Sequence, residues 1–174
     1  MQRHQLQHVI LEIGRRFDLR DFYIVGSAAI LAALPDPPAG SLTATRDVDV
    51  IPPGDDEQLA DRISFVLGEA SDFDIEHGYY AQGVSLRTPA FAPADWQARA
   101  LPVRVAEYTG WCMEPHDLVL SKLGAGRDKD LEFARDAATL GLVRGDELLA
   151  RLETVRCTDD HRRQIAARVH ALFR

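Results

Sequence analysis

Cysteine is scarce in this chain of 174 residues. Its two examples, Cys112 and Cys157, stand far apart with no Cys-x-x-Cys spacing. That excludes a disulfide framework as the source of the fold and reads as two reduced, structural thiols, which points to a cytoplasmic protein. Long hydrophobic runs are also missing: none reaches the length that spans a bilayer, so no membrane partner is expected. The opening stretch "MQRHQLQHVILEIGRRFDL" has helical spacing rather than the order of a signal peptide. Positive charge is in deficit, with 20 Lys and Arg against 27 Asp and Glu and a net charge of −7. This balance argues against broad, sequence-blind nucleic-acid binding, although arginines gather in "DDHRRQIAARVHALFR" near the C-terminus. No repeat or low-complexity tract is present. What is present is a chain 46% hydrophobic, enough for one domain with a real core.

The apolar pattern divides that chain by character. Leu6, Val9, Ile10, Ile13 and Phe17 recur at helical spacing and predict a helix over 2–17. "FYIVGSAAILAAL" predicts a short buried strand (22–25), a glycine turn and a helix starting near Ser27. "PDPPAGSLTA" carries too much proline and glycine for a regular element and is a loop. A strand over 46–51 and an amphipathic helix over about 55–70 follow. "FDIEHGYYAQGVSLRTP" reads as two short strands around Gly78, and "LPVRVAEYTGWCM" as another strand or pair. From Pro115 the pattern is helical, starting with proline in a first turn and continuing through three further helical stretches. The expected organisation is an α/β part over 1–113 closed by a helical part over 114–174, within one domain or as two units.

The strand "ATRDVDVIPP" poses the chemical question. Alternation puts Asp47 and Asp49 on one face, with Val48 and Val50 on the other. Two carboxylates side by side repel and resist burial unless something cationic compensates them. Either they sit at an exposed strand end or they hold a divalent metal. Some twenty residues upstream, Gly26 and Ser27 stand between a strand and a helix. There the glycine allows a tight turn, and the serine is placed as a cap at a potential anion site. A phosphate-binding turn and a carboxylate pair on adjacent strands are together what metal-assisted phosphoryl transfer needs.

"VGSAAILAALPDPPAGSLTATRDVDVIP" resembles the signature of the DNA polymerase β-like nucleotidyltransferases: Gly-Ser, a spacer, then Asp-hydrophobic-Asp. The loop 35–45 makes this spacer long. Downstream, "LVLSKLGAGRDKDLEFA" resembles the lysine and Lys-Asp motifs of the AbiEii/MenT-type, toxin-like members. Together the resemblances span about residues 20–140. They imply an α+β nucleotidyltransferase fold, a small mixed sheet flanked by helices. They further imply Mg²⁺ held by Asp47 and Asp49, and an NTP whose phosphates meet Gly26 and Ser27. Lys122, Arg127 and Lys129 would balance charge, and Asp130 would orient or deprotonate an acceptor hydroxyl. The implied acceptor is RNA (a tRNA 3′ end) or a protein, in a toxin–antitoxin or phage-defence setting with a cognate protein partner. Arg46, beside Asp47, either touches phosphate or neutralises the carboxylates.

The alternative is a degenerate fold serving as a binding module, an antitoxin or regulatory subunit. Many polymerase β-like enzymes carry a third carboxylate on a later strand. Here "LPVRVAEY" offers Arg104 and, at its end, Glu107, while Asp74 and Glu76 are expected on one face of an earlier strand. His4 and His8 share a helix face and are read as surface residues, and His116-Asp117 as polar capping of a first turn. Tyr79 and Tyr80 are read as strand packing, with base stacking as the other option. Trp96 and Trp111 are read as core or rim.

Overall fold

The computed structural model describes residues 1–174 as a five-stranded mixed sheet with seven α-helices. Helix α1 (Arg3–Phe17) buries Leu6, Val9, Ile10 and Ile13. It leads to β1 (Asp21–Val25), a 3₁₀ turn (Ser27–Ala32) and, after the proline-rich loop, β2 (Asp47–Ile51). Helix α2 (Glu57–Leu67) is capped by Asp56, whose side chain accepts from the Leu59 amide. Then come α3 (Asp72–His77), β3 (Tyr80–Gly83), β4 (Leu101–Val105) and β5 (Tyr108–Cys112). Four helices complete the chain: α4 (Pro115–Ala125), α5 (Asp128–Thr139), α6 (Gly145–Leu152) and α7 (Asp159–Leu172). The strand order is β3-β2-β1-β5-β4. β1 pairs antiparallel with β2 and parallel with β5, and β2 pairs parallel with β3.

This is the α+β architecture expected, with two local corrections. The segment read as two strands around Gly78 is a helix and one strand. Ser71 caps α3 by accepting from the Asp74 amide, and Gly78 ends it in the left-handed region (φ 74). A serine cap and a glycine stop with six residues between them outweigh the β-like composition of that stretch. Asp74 and Glu76 therefore lie on a helix, not on a strand face. The helix expected from Ser27 is only the short 3₁₀ turn, which supplies little of the macrodipole that a long helix would aim at an anion.

One hydrophobic core runs through both halves, from Leu6 and Ile24 to Leu123, Phe133 and Val169. Trp96 belongs to it, at 6% exposure, while Trp111 is half-buried. His8, expected at the surface, instead meets the ring edges of α3 and packs with Phe73, His77 and Tyr79. Its Nδ1 lies 2.7 Å from the Tyr79 hydroxyl. Both cysteines are free. No helix is long and apolar enough to cross a membrane.

Candidate active site

The antiparallel β1–β2 pair fixes the heart of the site. Val25 stands opposite Asp49, so the turn leaving β1 runs directly beside the carboxylates of β2. Gly26 adopts φ 68 there, and a Cβ built on it would fall 2.2 Å from Asp49 Oδ2. Glycine is required twice over, by backbone angle and by the close approach of a carboxylate. Val48 and Val50 are fully buried, so alternation leaves Asp47 and Asp49 on the opposite, half-open face.

Helices α4 and α5 bring the cations. Lys122 Nζ donates to Ser27 Oγ at 2.9 Å, pairs with Asp130 at 3.2 Å and lies 4.4 Å from the Phe133 ring centre. Arg127 Nε meets the other Asp130 oxygen at 2.6 Å. Asp130 is fully buried, and burial works to raise its pKa. The hydrogen bonds and charges of Arg127 and Lys122 outweigh burial and hold it below the usual carboxylate range. Burial pushes the Lys122 ammonium down, opposed chiefly by Asp130.

The β2 pair is differently placed. Asp49 makes no ion pair, and its pKa rises to about 6, first from burial and then from Asp47 beside it. Asp47 accepts a hydrogen bond from the Thr45 hydroxyl and no cation. No cluster of three or more His, Cys, Asp or Glu side chains is arranged to hold a metal. Two carboxylates nevertheless suit Mg²⁺, which binds through one or two carboxylates and completes its shell with water and substrate phosphates.

Register shows what stands beside the Asp pair on the neighbouring strand. β3 pairs Tyr80 with Asp47 and Gln82 with Asp49, and laterally paired residues share a face. The position is held by a phenol and an amide, and Gln82 Nε2 donates to Ser64. Arg104 is exposed on β4, and Glu107 lies in the β4–β5 turn, at the opposite end of β5 from Gly26. Asp74 is engaged elsewhere, paired with Arg46 at 2.6 Å. That pairing also draws Arg46 towards α3, where its Nε donates to the Gly78 carbonyl, although the residue still lines the site.

Two cavities meet at Lys122. One is lined by Gly26, Asp49, Lys122, Arg127 and Asp130 together with Thr88, Pro89, Ala90 and Phe91. The other is lined by Ser27, Arg46, Asp47, Lys122 and Lys129 with Ser41, Thr45, Tyr80 and Glu132. All nine residues singled out from the sequence thus line one or other of these two cavities, which share Lys122. The loop 88–91, Tyr80 as a site residue and Glu132 were not singled out for them. A site on a loop without a charged motif leaves no periodic or compositional signal, and Tyr80 joins the site only through the β2–β3 register.

Residues 4–169 match the model of a family described as "Nucleotidyltransferase of unknown function (DUF6036)". No curated protein and no solved structure matches the chain. The match reaches the level of nucleotidyltransferase and does not extend to the AbiEii/MenT-type subgroup.

Proposed function

The chain belongs to that nucleotidyltransferase family, and from this premise we propose that it transfers a nucleoside monophosphate from an NTP to an acceptor hydroxyl with Mg²⁺. The observation that carries the reading is the Asp47–Asp49 pair, two partly buried carboxylates without a cationic partner in a site where the neighbouring carboxylate has two. Asp47 and Asp49 would hold Mg²⁺, whose charge would bind the phosphates and withdraw electron density from the reacting phosphorus. Lys122 and Lys129 offer ammonium groups to the phosphates, with the Ser27 hydroxyl beside Lys122. Because the turn after Ser27 is so short, these cations, more than a helix dipole, carry the anion attraction. The acceptor hydroxyl releases its proton to solvent as its oxygen attacks the α-phosphorus in line, the bond to the bridging oxygen breaks, and pyrophosphate leaves. The protein contributes positioning and electrostatics.

Asp130 is assigned to orientation rather than deprotonation. Its two cationic partners make it a poor base but a firm anchor for Lys122 and Arg127. The acceptor is a hydroxyl on RNA, with a tRNA 3′ end the first to try, or on a protein, in a cytoplasmic toxin–antitoxin or phage-defence setting. The acidic surface favours a protein acceptor over a long nucleic acid. One observation favours a second reading, a binding module without catalysis: the residues paired with Asp47 and Asp49 on the neighbouring strand are Tyr80 and Gln82, and neither is an acid.

Transfer of label from α-³²P-NTP to a tRNA pool and to cell protein separates the two readings. The native chain is expected to label an acceptor, and Asp49→Asn to label none while unfolding cooperatively like the native chain. Full activity in Asp49→Asn would overturn the assignment.

A further inference from the structure

We propose that Lys122 divides the site into a phosphate compartment and a nucleoside compartment, and that the loop Thr88–Phe91 forms the wall that receives the base. The inference rests on the nucleotide reading above and adds to it the direction in which the nucleotide lies.

Charge assigns the first compartment. The chain has only two lysines, Lys122 and Lys129, and both line the cavity that holds Ser27 and Asp47. Lys129 is exposed and forms no ion pair, so its ammonium is available to an anion. Arg127, by contrast, is committed to Asp130 on the other side of Lys122. A polyphosphate is therefore drawn to the lysine side, next to Asp47.

The far side of Lys122 has another chemistry. Val25, Met113, Leu118, Pro89, Ala90 and Phe91 give it an apolar wall, while Gly26, Asp49 and the Lys122–Asp130–Arg127 ion pairs complete its lining. The wall is also fixed in place. Phe91 lies against the bare Gly124 of α4, where a Cβ would fall 2.2 Å from its Cγ, and its ring meets the edge of His161 at 5.5 Å. Just beyond, Pro93 bridges to Val155, and the Ala94 amide donates to the Thr154 carbonyl at 3.4 Å. A slot with one apolar, fixed wall beside Asp49 suits a flat aromatic base better than it suits a phosphate. The hydroxyls of Thr88 and Ser121, both lining it, are placed to read the base edge.

The test compares Mg²⁺-tripolyphosphate with each of the four Mg²⁺-NTPs by calorimetry. It uses the native chain and two variants that fill the slot from α4, Ser121→Phe and, at the exposed end, Ala125→Trp. At least one NTP is expected to bind the native chain tenfold or more tightly than tripolyphosphate. In either folded variant that gain should fall below threefold, with tripolyphosphate affinity unchanged. A nucleotide gain that survives in both variants overturns the inference and leaves the nucleotide reading standing. Loss of tripolyphosphate binding on filling the slot also overturns it, because the phosphates would then lie on the loop side. Failure of tripolyphosphate and every NTP to bind the native chain removes the nucleotide reading and this inference with it.

Discussion

Helix α4 faces two clusters of charge, and they are built on opposite plans. Near its start, Asp117 is fully buried and accepts from Arg99 at 2.9 and 3.0 Å and from Arg151 at 3.0 Å. Glu114 caps the same helix, and its carboxylate also meets Arg151 and, at 2.8 Å, the His116 ring. The His116–Asp117 pair expected to be simple capping is thus part of an ion-paired joint between α4, α6 and the turn at Trp96–Arg99. Five residues beyond Asp117, Lys122 faces Asp130, Asp49 and Asp47, and only the first of these carboxylates finds cations. The contrast separates structure from chemistry. A buried carboxylate whose oxygens are all paired holds elements together, whereas carboxylates left unpaired by nearby cations are kept for something that arrives from outside.

Breaking the paired cluster gives the largest expected effect on stability. Asp117→Ala removes the buried carboxylate shared by two guanidinium groups, which keep Asp95, Glu114 and Glu147 as partners, and is expected to cost about 3 kcal/mol in urea unfolding. Treating the unpaired cluster in the same way should do the reverse. Asp49 holds its proton more tightly in the folded chain (pKa about 6) than an unperturbed aspartate does (3.8), so the native protein loses stability as pH rises from about 4 through 6. Asp49→Asn has no such proton to lose. Without metal it is expected to be more stable than the native chain above pH 6, by up to about 3 kcal/mol, with the difference vanishing near pH 4. Equal pH profiles for the two chains would show that Asp49 is not held under strain.

Two glycines sharpen the same comparison. Gly26 and Gly78 both have positive φ, but a Cβ at Gly78 meets nothing within 4 Å while one at Gly26 strikes Asp49. Gly78→Ala is expected to cost about 1 kcal/mol from backbone strain alone. Gly26→Ala should cost about 1 kcal/mol more than that, because it also displaces a carboxylate. The smallest effect belongs to a surface pair that serves neither plan. Glu12→Gln, which removes the partner of Arg16 one turn along α1, should change stability by less than about 0.5 kcal/mol.

The sequence carried the parts of this account that have periodic or motif signals. The long helices, the Gly-Ser turn and the Asp-x-Asp strand are local patterns, and the α+β class follows from their order. Asp130 and Lys122 were found only because a motif placed them. The contact of Lys122 with Ser27 closes a separation of 95 residues that no local pattern encodes. The helix at Asp72–His77 was missed because Phe73 and Ile75 alternate like a strand, and Ser71 and Gly78 decide the matter at its ends. The role of Asp117 was missed because both of its arginine partners lie well away along the chain, on other elements. The phenol and amide beside the Asp pair came to light only once the β2–β3 register was known.

The central claim is that Asp47 and Asp49 are unpaired because a metal-bound nucleotide completes them. Its most direct test is calorimetric titration of NTP into the native chain and the Asp47→Asn/Asp49→Asn chain, each with and without Mg²⁺. The account predicts binding that requires Mg²⁺ and is lost in the double variant, which should remain folded. Binding of equal strength without Mg²⁺, or binding that survives loss of both carboxylates, would contradict it.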